Sequence, residues 1–111
     1  MSEAKKILLV EDDEDFRSGL AMLLESEGYR VTTTSDGHHA LELAAHQTFD
    51  VLIADIRLPG LSGDQVMQQL KRLQPEAEAV LITAHLDLKI QRIWQHMKMM
   101  PLVCWVVGHH R

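Results

Sequence analysis

The run Val51-Leu52-Ile53-Ala54 ends on Asp55 and passes at once into Ile56-Arg57-Leu58-Pro59-Gly60-Leu61-Ser62-Gly63. Four consecutive apolar residues without polar alternation fit a strand buried on both faces of a parallel sheet, not one with a wet face. The Pro-Gly and Ser-Gly pairs behind it mark a loop. Asp55 therefore stands at the carboxyl end of a buried strand, with a loop rather than a helix following. No helix dipole accounts for an acid there, and burying it alone would be costly.

The same pattern extends in both directions. Ile7-Leu8-Leu9-Val10 is a second short, branched, apolar run, followed directly by Glu11 and Asp12. Phe16, Leu20, Leu23 and Leu24 then recur with the spacing of one helical face, and Gly28 supplies a stop. Val31-Thr32-Thr33-Thr34 reads as a β-branched strand, Ser35-Asp36-Gly37 as a turn, and Ala40, Leu41 and Ala44 as a short helical face. Beyond the loop, Val66, Leu70 and Leu73 mark a helix stopped by Pro75, and Ala79-Val80-Leu81-Ile82 a fourth strand ending on Thr83 and Ala84. A helix over residues 86–100 and a fifth strand over 102–107 complete the reading. Strands alternating with helices predict an open, doubly wound α/β parallel sheet, because parallel strands need crossovers that cover both faces. The length suits one domain over residues 1–111.

Composition narrows the functional classes. A net charge of −5, with no cluster of basic residues, offers no attraction to a phosphate backbone and argues against direct nucleic-acid binding. The single cysteine, Cys104, excludes an internal disulfide, and the N-terminus lacks the apolar core of a signal peptide, so the cytoplasm is the expected compartment. The longest apolar stretch, Met99 to Val107, contains Pro101 and falls far short of the roughly 20 residues of a membrane span.

Open α/β sheets bind ligands beyond the carboxyl ends of their strands, where the strand order reverses. In the flavodoxin-like order that place lies between the first and third strands. Glu11, Asp12 and Asp55 are expected to converge there. Each close carboxylate pair repels by about 1 kcal/mol in water and up to roughly 4 kcal/mol at an effective dielectric near 20, so the convergence calls for a compensating cation. Carboxylates, a backbone carbonyl and waters suit Mg²⁺, which also favours sites shared with phosphate oxygens. Asp13, Glu14 and Asp15 read better as acids at a helix start.

Three ordered segments, Val10-Glu11-Asp12-Asp13, Asp55 to Gly63, and Ile82-Thr83-Ala84, resemble the signatures of response-regulator receiver domains. The resemblance runs from about Lys6 to about His85. Its second segment is similar in wording to receivers of nitrogen-regulation and dicarboxylate-transport regulators. It implies a CheY-like fold, with Asp55 as phosphoacceptor, Asp12 as a direct Mg²⁺ ligand and Glu11 as a ligand through water. The main-chain carbonyl of Arg57 would complete the protein ligands, and Thr83 would be the switch hydroxyl with Ala84 leaving it room. A sensor histidine kinase or phosphotransfer protein would be the partner, and a homodimer is open. Such a domain is not an enzyme beyond assisting its own phosphoryl transfer.

The pattern departs from the family near the end. Receivers carry a lysine-proline pair after the fifth strand, whereas this chain reads Trp105-Val106-Val107-Gly108-His109-His110-Arg111, with Gly108 about where the lysine is expected. The final helix is expected to be missing, and residues 86–111 are either divergent or the product of truncation or frameshift. A rival reading is therefore a pseudo-receiver that keeps the fold as an interaction module without switching. A third, a Mg²⁺-dependent phosphohydrolase of the haloacid-dehalogenase type, would use Asp13 and Asp15 and leaves Asp55 unexplained.

Overall fold

Strand β1 (Lys6–Val10) lies between β2 (Arg30–Thr34) and β3 (Val51–Asp55), and β4 (Glu78–Ile82) pairs with the far side of β3. All three pairings are parallel, with Val10 opposite Thr34 on one side and Ala54 on the other. Helices α1 (Glu14–Ser26), α2 (Gly37–His46) and α3 (Gly63–Leu73) form the crossovers. The structure is a computed structural model and describes residues 4–58 and 60–82. The expected helix 86–100, the fifth strand 102–107, Thr83, Ala84, Gly108 and the missing final helix all lie outside the described residues.

The two apolar runs do what their lack of alternation predicts. Ile7 and Leu9 of β1 point, with Val51, Ile53, Val80 and Ile82, into a core closed by Phe16, Leu20 and Leu24 of α1. Leu8 and Val10 point the other way, with Leu52, Ala54 and Leu81, onto Ala40 and Ala44 of α2 and Val66, Met67 and Leu70 of α3. With helices on both faces the sheet is doubly wound, and the order β2-β1-β3-β4 reverses between β1 and β3.

Local signals fix the helix ends. Asp13 caps α1, its Oδ1 accepting the Phe16 N–H at 2.9 Å. Gly28, at φ 96°, ends the helix with a Schellman pair: its N–H donates to Glu25 O and the Tyr29 N–H to Leu24 O. Ser62 and Gln65 form a capping box at the start of α3. The expected turn Ser35-Asp36-Gly37 resolves into an N-cap, Asp36, and the first residue of α2, Gly37. A Cβ on Gly37 would meet Val66 Cγ2 at 2.6 Å, so its lack of a side chain lets α2 lie close to α3.

Two expected core positions differ. Leu73 is 47% exposed, and Leu23 is only half-buried. The buried stripe of α3 runs through Gly63, Val66, Met67 and Leu70, and the position that continues it is Gln74, buried, while Leu73 falls one residue off the stripe. Gln74 fills that place without leaving polar atoms unpaired. Its Nε2 donates to Ala44 O and Gln47 O beyond α2, and its Oε1 accepts the Phe49 N–H at 3.0 Å.

Candidate functional site

Glu11 is the first residue past β1, and nearly all of its polar atoms are held. Its N–H donates to Thr34 O at 3.0 Å, extending the β1–β2 ladder. Its carbonyl accepts a hydrogen bond from Arg17 Nη1 at 2.8 Å, and its Oε2 accepts the Asp13 N–H at 2.9 Å. The remaining atom, Oε1, is buried with no hydrogen-bond partner among the described residues, on a residue that is 0% exposed.

Asp55, at the end of β3, is also buried, and its Oδ1 accepts the N–H of Arg57 at 2.9 Å. Asp12 is exposed at the mouth of the site. Each of Glu11, Asp12 and Asp55 offers one carboxylate oxygen, and these atoms lie within 4.8 Å of one another. The expected convergence of the three acids is what the fold produces. Asp13 is spent on capping α1, which leaves it outside the trio.

Burial, reinforced by the neighbouring Asp55 carboxylate, pushes the Glu11 carboxyl up from its ordinary 4.5 to about 9, against the lowering effect of the Asp13 N–H. A buried oxygen with no partner among the described residues, and three acids whose oxygens lie within 4.8 Å of one another, make a fit test for a cation, and a hard dication passes it. All donors are oxygens, and the exposed side of Asp12 leaves room for the waters and phosphate oxygens that Mg²⁺ retains.

A family model described as response regulator receiver domain matches residues 7–100. The chain belongs to the response-regulator receiver family. The receiver is 38% identical over 82 residues to the DNA-binding transcriptional regulator NtrC of Escherichia coli, an overlap of 74% of this chain and 18% of that protein. It spans about a third or less of the length of the curated relatives it matches. Among solved structures it resembles a response regulator from Burkholderia pseudomallei with a phosphorylated aspartic acid, calcium ion and citrate. That match has a TM-score of 0.70 and 31% identity, and covers 78% of this chain and 51% of the other. It likewise resembles TrrA of Thermotoga maritima in complex with Mg²⁺ and BeF, with a TM-score of 0.69 and 34% identity, covering 73% and 70%. Among the described residues of the receiver no helix is long and apolar enough to cross a membrane.

Sequence reading gave no role of their own to two further residues of the receiver site. Arg17 reaches the Glu11 carbonyl from the first turns of α1. Gly63, read from sequence as the end of a loop, is the first residue of α3 and lies against the main chain of Asp55.

The raised Glu11 carboxyl gives the metal-free receiver a pH-dependent stability. A folded value above the unfolded one contributes stability that is fully present below about 4.5 and lost as pH rises towards about 9. The metal-free protein is therefore expected to melt lower at pH 8 than at pH 6. Glu11→Gln removes the ionisation, so it should be the more stable protein at pH 8, by about 1 to 3 kcal/mol, with a gap that widens as pH rises. Thermal melts in a chelator at pH 6, 7 and 8 measure this; a gap that is constant or narrowing with pH would contradict it.

Proposed function

We propose that this receiver accepts a phosphoryl group on Asp55 from a sensor histidine kinase or a phosphotransfer protein. Mg²⁺ would be held by Asp12, Asp55, the Arg57 carbonyl and, through water, Glu11. The observation that carries the reading is the carboxylate trio at the switch point with its one buried, unpartnered oxygen on Glu11.

An Asp55 carboxylate oxygen forms the new bond to phosphorus as the donor's phosphorus–nitrogen bond breaks, or the phosphorus–oxygen bond when the donor is acetyl phosphate. The Arg57 N–H fixes the rotation of that carboxylate, and burial keeps it apart from bulk water. When bound, the cation supplies neutralisation of the charge that phosphoryl oxygens bring to a site already holding three acids. Thr83 as switch hydroxyl rests on the resemblance to receivers alone.

The reading places the domain in the cytoplasm as a signalling module over residues 1–111, with no direct contact to nucleic acid. The signalling role is supported by the family, and the lack of nucleic-acid contact by the net charge of −5. The pseudo-receiver remains the second reading, favoured by Gly108 standing where a lysine is expected. The phosphohydrolase reading loses Asp13 to helix capping.

The metal half of this reading is tested by Asp12→Ala. Loss of a direct ligand, a contact of about 1.5 to 3 kcal/mol, should weaken Mg²⁺ binding roughly tenfold to a hundredfold. NMR titration of the wild-type and variant proteins reads it, and coincident titration curves would remove the proposed site.

A further inference from the structure

We infer that Arg17 is the positioning residue of the metal-binding loop: through the Glu11 carbonyl it fixes the peptide that carries Asp12, and so sets the receiver's affinity for a divalent cation. The inference rests on the site reading above, in which Asp12 is a direct ligand.

Glu11 and Asp12 form the first peptide beyond β1, where the sheet no longer dictates orientation. On the Glu11 side the N–H is locked to Thr34 O at 3.0 Å, and Oε2 to the Asp13 N–H at 2.9 Å. The only described bond to the Glu11 carbonyl itself is the 2.8 Å contact from Arg17 Nη1. That carbonyl and the Asp12 N–H belong to one planar unit, so holding the oxygen fixes the plane from which Asp12 projects. A guanidinium–carbonyl bond is charge-assisted, and is stronger than a neutral one.

Arg17 is itself well placed for the task. It lies on α1, whose register is set by the Asp13 cap and by the buried Phe16 beside it, and its own N–H donates to Asp13 O at 2.9 Å. The side chain is half-buried, which limits its motion. One helix thus braces the loop twice, by its Phe16 N–H bonded to the Asp13 side chain and by the Arg17 strut at Glu11.

Two effects of removing Arg17 oppose each other, and their signs separate the inference from simple electrostatics. Loss of a nearby positive charge alone would tighten binding of a cation; loss of the positioned peptide would weaken it. We expect the second to dominate. Arg17→Met should raise the Mg²⁺ dissociation constant about tenfold, the equivalent of losing one charge-assisted hydrogen bond. It should shift the NMR resonance of the Asp12 amide in the metal-free protein. Arg17→Lys, which can still donate to the carbonyl, should recover most of both. In phosphorylation by acetyl phosphate, the Arg17→Met rate should return to the wild-type rate at saturating Mg²⁺, as a fault in metal affinity alone requires.

The wild-type titration separates the two ideas. Wild-type protein that takes up no Mg²⁺ overturns the site reading. Wild-type protein that binds, with Arg17→Met binding equally or more tightly, overturns the positioning role. So does a rate deficit in Arg17→Met that saturating Mg²⁺ leaves in place. If Arg17→Met fails to fold, Arg17→Lys decides: an unmoved Asp12 amide and unchanged affinity support the strut, and a Lys variant that folds but has lost Mg²⁺ affinity tenfold overturns it.

Discussion

Asp55→Asn is expected to abolish phosphorylation by acetyl phosphate, with label uptake at least about a thousandfold below wild type, equivalent to roughly 4 kcal/mol of barrier. The amide has the shape of the carboxylate and can still accept the Arg57 N–H through its carbonyl oxygen, so the loop behind β3 should stay in place. What is lost is the oxygen proposed to attack phosphorus and one of the three carboxyl groups of the trio. The same substitution should stabilise the metal-free protein at neutral pH and above, because Glu11 loses the buried neighbour that helps to raise its pKa. Intact-mass spectrometry after incubation with acetyl phosphate and Mg²⁺ measures the first effect, and thermal melting in a chelator the second. Uptake by Asp55→Asn at the wild-type rate would move the phosphoacceptor elsewhere. A folded wild-type protein that takes up nothing would favour the pseudo-receiver reading.

The second large effect belongs to Gly63. A Cβ there would stand 1.9 Å from the Asp55 carbonyl oxygen, 2.6 Å from its carbon and 2.8 Å from Ile56 Cα, all main-chain atoms. None can swing aside. Either α3 withdraws from the end of β3, breaking the Gly63 N–H bond to Ile56 O, or the Asp55 peptide itself moves. Both deform the site. Gly63→Ala should cost about 3 kcal/mol, at the upper end of ordinary overpacking, and lower the melting temperature by roughly 10 to 20 °C. Gly37→Ala is the internal control. Its clash is with Val66 Cγ2, a side-chain methyl rather than main chain, so a small shift of α2 against α3 can relieve it and it should cost less, about 1 to 2 kcal/mol. Comparing the two melts checks the claim, and equal losses would show that the contact with Asp55 has no special weight.

The fold was legible because residues 7–10 of β1 and 51–54 of β3 are unbroken apolar runs buried on both sides of the sheet, a pattern that one-sided strands lack. The trio was legible because strand ends at a switch point converge whatever the details of the loops. The phase of α3 was not. Pattern reading puts Leu73 on the apolar face, yet the stripe continues through Gln74, a polar residue whose burial depends on three main-chain partners more than twenty positions away in sequence. Arg17 escaped for the same reason, and Gly63 was read as the end of a motif without its contact to the Asp55 main chain. An arginine near a helix start and a glycine after a serine are ordinary until the fold brings Glu11 O and Asp55 O against them. Thr83 lies outside the described residues, and its role stands on the motif alone.

The tie made by Gln74 also divides the molecule mechanically. Its amide joins the end of α2, the approach to β3 and the end of α3 at the amino-terminal edge of the sheet, the pole opposite Glu11 and Asp55. Segments at that pole share one hydrogen-bonded staple, whereas at the other pole Glu11 Oε1 is buried with no hydrogen-bond partner among the described residues. Moving any one of the three tied segments alone would leave a buried amide atom or main-chain group unpaired, so they are expected to shift together or not at all.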